Sequence, residues 1–192
     1  YTLGDGQMFI NMGPQHPSTH GVLRVVLKLD GEKVVDLDPV LGYLHRGVEK
    51  LFEGRAPSEG IELAERISGD TAVGHTLAYV LAVEDALGIQ VDPQTHAVRA
   101  LLLEAERLYN HVNDLGAIAN DVGYGIAHAH TQRLREHLLR HNKALTGHRL
   151  LRGGITIGGA HLARTPDLDL IRRTADDVAE IVAITLHNTV VA

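Results

Sequence analysis

Two imidazoles stand four residues apart in Gly13-Pro14-Gln15-His16-Pro17-Ser18-Thr19-His20-Gly21. A helix would put His16 and His20 on one face, but Pro14 and Pro17 oppose a helix there. The segment therefore reads as a stiffened loop. Either its histidines are incidental to a turn, or the loop presents groups that titrate near neutral pH. Such groups can pass a proton or hydrogen-bond a substrate carbonyl. A second stretch, Glu65-Arg66-Ile67-Ser68-Gly69-Asp70-Thr71-Ala72-Val73-Gly74-His75, crowds small residues into a helical pattern. A helical Gly costs about 1 kcal/mol against Ala, so close approach of another helix or of a ligand would account for it. Five further histidines follow at 128, 130, 137, 141 and 148. His137 and His141 have metal-ligand spacing, yet no His-Glu-x-x-His pattern accompanies them. Arg133, Arg135 and Arg140 would repel a cation, and we read this face as solvated.

These groups need elements to hold them. Residues 7–12 form a short apolar run ended by Gly13-Pro14. Leu23, Val25, Leu27 and Leu29 alternate with Arg24, Val26 and Lys28, the period of a half-buried strand. Asp30-Gly31 then predicts a hairpin into a return strand over 33–37, because a two-residue turn needs positive φ. From about Leu44 the pattern turns helical. The stretch 42–50, Gly-Tyr-Leu-His-Arg-Gly-Val-Glu-Lys, reads as a helix start with a mixed-charge face. Ile61, Ala64, Ile67, Thr71, Gly74, Ala78 and Leu81 share a face. Asp92-Pro93 is an N-cap followed by a first-turn proline. The helix it opens carries Val98, Leu101, Leu102, Ala105, Leu108, Val112 and Leu115 as a stripe. Further helices are predicted over 125–146 and, after Thr165-Pro166-Asp167, up to about Val190, with 153–159 as a loop. The fold class is α+β: a small N-terminal antiparallel β domain over 1–45, then a mainly α-helical bundle over 46–192.

Composition narrows the chemistry. The 192 residues include 18 Lys and Arg against 24 Asp and Glu, a net charge of −6, which disfavours a nucleic-acid partner. The lack of Cys excludes disulfides and thiolate metal sites within these residues. The stretches 71–83 and 181–192, free of Asp, Glu, Lys and Arg, fall short of the ~20 apolar residues of a membrane span. The chain opens without Met and closes without a helix stop signal, which reads as a piece of something longer.

The nine-residue loop motif, the hairpin over 22–32 and the stretch 42–50 closely resemble the large, 49-kilodalton type redox-module subunit of respiratory complex I. From Glu65 onward the chain resembles the sister family, the large subunit of membrane-bound nickel–iron hydrogenases. The matching stretches are 65–75, 101–123 and 146–159. In hydrogenases the pattern is Glu-Arg-x-Cys-Gly-x-Cys, whose thiolates hold the metal centre. Ser68 and Thr71 occupy those positions here, and hydroxyls are poor ligands for soft metals. No metal is therefore expected in this chain, and a hydrogen-evolving site is disfavoured.

In complex I, the loop histidine matching His20 contacts the quinone headgroup together with a helix Tyr, and a later Asp pairs with that histidine. The Tyr position is Gly69 here, and the Asp position falls on Asp121. The resemblance thus implies a catalytic pair, His20 and Asp121. His16, Gly69, Asp70 and His75 line the quinone site beside them, the last two more weakly. A carboxylate that fixes the imidazole tautomer suits a reduction consuming two protons. The implied activity is that of a subunit in a membrane-associated NADH:quinone oxidoreductase, inactive alone. Its electrons would come from an iron–sulfur cluster in a small partner subunit. Other peripheral-arm and membrane-arm subunits would surround it, on the cytoplasmic side of the cell membrane. The rival expectation is a non-catalytic coupling scaffold that descends from a hydrogenase large subunit.

Overall fold

The computed structural model describes residues 4–14 and 22–188. The chain divides into two compact units, Tyr1–Lys50 and Leu51–Ala192. The first holds a three-stranded antiparallel sheet, β1 (Gln7–Met12), β2 (Arg24–Asp30) and β3 (Lys33–Val40), in sequence order. Asp30 pairs with Lys33, so the turn residues are Gly31 and Glu32, and Gly31 has φ +60°. This is the hairpin that Asp30-Gly31 predicts. A bulge between Lys28 and Leu29 shifts the register, and Pro39 is tolerated because β3 is an edge strand. Arg24 Nε donates to Asn11 Oδ1 (3.1 Å), tying β2 to β1. His16 and His20 lie outside the described residues.

After α1 (Val48–Phe52), the second unit is built on α2 (Pro57–Ala64), α3 (Ala72–Leu87), α4 (Pro93–Asp121), α5 (Gly125–Thr146) and α6 (Leu168–Leu186). Local chemistry sets most of the boundaries. Asp92 caps α4 by accepting from Thr95 N (3.0 Å), and Asp167 caps α6 by accepting from Leu170 N (2.9 Å). Gly88 and Gly147 end α3 and α5 in the left-handed conformation. The α4–α5 pair packs closely because Gly116 has no Cβ: one built there would stand 2.1 Å from Thr131 Oγ1. Around this seam lie Tyr109, Val112, Leu134, Leu138 and Leu139; a second core gathers Val73, Val80, Leu102, Leu145, Leu151 and Ile155.

Three sequence expectations change here. The helical pattern through 61–81 is broken into α2 and α3 by a turn at 65–71. The expected loop at 153–159 contains a short ladder, β4 (Ile155–Thr156) with β5 (Gly159–Ala160). A buried ion pair fixes that ladder. Arg99 and Glu84 meet through two bonds (2.9 and 2.5 Å), while Gly158 N donates to Glu84 (2.6 Å) and Arg99 donates to the carbonyls of Thr156 and Gly159. The buried stripe of α4 is Arg99, Leu102, Glu106, Tyr109, Val112, Gly116 and Ala119, about one position away from the apolar stripe. Leu115 is left exposed.

Candidate functional site

The turn between α2 and α3 carries the residues where the hydrogenase pattern has thiolates. Ser68 Oγ donates to Asp70 Oδ1, and Thr71 Oγ1 donates to the same oxygen (3.3 Å). Asn110 of α4 donates through Nδ2 to the Asp70 carbonyl (2.5 Å), fastening the turn. The Ser68 bond, more than any other influence, holds the Asp70 carboxyl below its ordinary pKa, with further help from Thr71 and the charge of His75. Asp70 is thus a stable anion at the surface. Both hydroxyls serve that carboxylate, and neither is a soft ligand, so the turn does not fit a nickel–iron centre. Among the described residues no group of three or more His, Asp or Glu converges as a metal site.

Beneath the turn lies Glu106, 3% exposed on the buried stripe of α4. Its two oxygens accept from Val73 N (2.7 Å) and Gly74 N (2.9 Å), two of the amides left open at the start of α3. Gly74 makes this approach possible, since a Cβ there would come within 2.8 Å of Thr71 Cγ2 and 3.4 Å of Glu106 Oε2. The small residues of 65–75 therefore include one that serves close packing by a neighbouring helix. Burial raises the Glu106 pKa above its ordinary value; the backbone amides oppose this, and the charge of Asp70 adds to it. One turn along α4, Tyr109 is fully buried, and its hydroxyl has no hydrogen-bond partner among the described residues. Burial, with the charge of Glu106, pushes its pKa up to about 12. The Arg135 guanidinium lies over the Tyr109 ring, 5.9 Å from its centroid.

Asp70, Glu106, Asn110, His111, Asp114 and Arg135 help line an open cavity of about 470 Å³. Two carboxyls in one cavity with pKa values pushed in opposite directions is an arrangement that can hold a proton on one and a charge on the other. Gly69 sits in the same turn, where an added Cβ would meet nothing within 4 Å, so a side chain has room there. His75 acts electrostatically on both Asp70 and Glu106.

Asp121 stands elsewhere. It is the exposed last residue of α4, eleven residues beyond Asn110, about 16 Å along the helix axis. Of the six residues singled out from the sequence, Gly69, Asp70 and His75 share one turn and helix start. Asp121 lies apart from them, and His16 and His20 fall outside the described residues. Of the other histidines, His128 Nδ1 donates to the Gly116 carbonyl (3.0 Å) and His130 and His137 face solvent. Sequence reasoning missed Glu106, Tyr109, Asn110 and Arg135. The available signal was a carboxylate recurring in register with Leu102 and Tyr109 on α4.

Residues 46–115, about a third of the chain, match the model of the nickel-dependent hydrogenase family. Over most of its length the chain is similar to D-type subunits of NADH-quinone oxidoreductase. It is 39% identical over 174 residues to that of Trichlorobacter lovleyi, covering 91% of this chain and 44% of the relative. The second D-type subunit of Solibacter usitatus is 42% identical over 157 residues, 82% of this chain and 42% of the relative. That of Carboxydothermus hydrogenoformans is 41% identical over 153 residues, 80% of this chain and 42% of the relative. The chain thus spans less than half the length of these relatives. Among the described residues no helix is long and apolar enough to cross a membrane.

Proposed function

We propose that this chain is the part of a complex-I-like catalytic subunit that walls a quinone-reduction site beside an iron–sulfur partner subunit. The observation that carries the reading is the exchange at the 65–71 turn. Where a hydrogenase needs thiolates, this chain has two hydroxyls bonded to Asp70, beside a cavity lined by groups suited to protons. Quinone reduction needs two electrons and two protons. With no Cys to bind a cluster in these residues, the electrons would come from an iron–sulfur cluster in the neighbouring subunit. The protons fall to side chains here. His20 and Asp121 form the pair that delivers them to the quinone oxygens, the carboxylate orienting the imidazole, while His16, Gly69, Asp70 and His75 line the chamber that holds the quinone. The subunit belongs with peripheral-arm and membrane-arm partners on the cytoplasmic face of the cell membrane, with NADH as the donor upstream. The names of the homologues support this reading.

The test is His20→Ala in the assembled complex. Quinone reduction should fall while upstream electron entry, read with an artificial acceptor, stays intact. Unchanged quinone turnover overturns the assignment.

A further inference from the structure

The outward face of α5 has no role in the site above, and its charge is unlike that of the rest of the chain. Residues 125–152 contain Arg133, Arg135, Arg140, Lys143, Arg149 and Arg152 against a single acid, Glu136, in a chain of net charge −6. The basic residues are not scattered. Ile126, His130, Arg133, His137 and Arg140 are all exposed and recur at steps of four and three. That average of 3.5 residues keeps them on one face of the helix, with a drift of only about 20° per seven residues, along which a partner helix can lie. From His130 to Arg140 the seam is about 15 Å long.

Internal pairing leaves it charged. Glu136 is occupied by Arg140 (2.8 Å) and Arg149 (2.9 and 2.6 Å). Arg133 has no ion pair among the described residues, and His130 and His137 have no hydrogen-bond partner there. We propose that this face is the docking surface for an acidic helix of a neighbouring subunit, with Asp and Glu side chains meeting Arg133, His137 and Arg140.

The character of the seam selects that occupant. A helix lying in a lipid surface needs large apolar side chains beside its cations, and none occurs on the seam between 130 and 140. Guanidinium groups match carboxylates through paired N–H donors, which favours a protein acid fixed in position. A second copy of this chain offers a poorer match. The exposed acids of α6, Asp169, Asp176, Asp177 and Glu180, share that helix with the exposed Arg172 and Arg173.

The proposal rests on the chain working inside an assembly and is independent of the quinone site. The test places a photo-reactive side chain at the seam, His137→p-benzoylphenylalanine, in the intact complex and identifies what it captures by mass spectrometry. The expected product is a peptide of another subunit with Asp or Glu at helical spacing. Adding Arg133→Glu should abolish most of that capture, and raised salt should weaken it. Arg173→Glu, on the exposed face of α6, should leave it unchanged. Thermal unfolding of each variant, matched to the parent, verifies folding. Capture of lipid, of a second copy, or of nothing in a complex that retains its other subunits overturns the docking surface alone. A chain that never co-purifies with other subunits overturns the assembly itself.

Discussion

Helices α3 and α4 bury a carboxylate at each end of their contact, and the two are treated in opposite ways. Glu84 is met by Arg99, itself 1% exposed, and by Gly158 N; these hold its pKa below the ordinary carboxyl range, Arg99 foremost. Glu106 is met by two backbone amides and, among the described residues, by no cation in contact; burial raises its pKa and the charge of Asp70 adds to this. One end neutralises its charge permanently and clamps a hairpin. The other holds a carboxyl whose pKa burial raises, beside a cavity. Similar residue types at similar burial thus divide into a carboxylate held as an anion and one whose ionisation is opposed. The partner decides, not the burial.

Four substitutions break or sharpen that contrast. Arg99→Ala should have the largest effect, because it strands Glu84 unpaired and frees the hairpin: a loss of about 3–5 kcal/mol in denaturant unfolding. Gly74→Ala should cost about 1–3 kcal/mol, since its Cβ meets Thr71 and crowds the Glu106 carboxylate. Glu106→Gln should cost about 1 kcal/mol at neutral pH and change the pH profile. Folding favours the protonated form of Glu106, so its contribution is present in acid and is lost as pH rises through its raised pKa. Glu84 contributes the reverse: stability present above the ordinary carboxyl range and lost as pH falls through its lowered pKa. Unfolding free energies across the acid range should therefore show the rising-pH loss in the parent and not in Glu106→Gln. Gly69→Ala should be the mildest, a gain of about 0.4–1 kcal/mol, because its Cβ enters open space and the unfolded chain loses freedom.

What could be read in the sequence depended on how far each signal reached. Asp92-Pro93, Pro166-Asp167 and Asp30-Gly31 act on amides or turns a few residues away, and the elements they announce are present. The break at 65–71 and the ladder at 155–160 depend on partners far along the chain: Asn110 holds Asp70 across 40 residues, and Glu84 holds Gly158 across 74. Periodicity misjudged the face of α4 for the same reason. Arg99 and Glu106 look like solvent-facing residues until their partners are known, and Gly116 and Ala119 are too small to advertise a core. The Ser68–Thr71 substitution was legible because a residue type, not a contact, carries it. Glu106 was not, because only Val73 and Gly74 reveal its purpose.

The step of eleven positions from Asn110 to Asp121 makes α4 a ruler with two marked stations. No single planar ring can rest against both. If one ligand answers to both, it must travel or be reached through intermediaries, and the rigid rod between them sets the length of that journey.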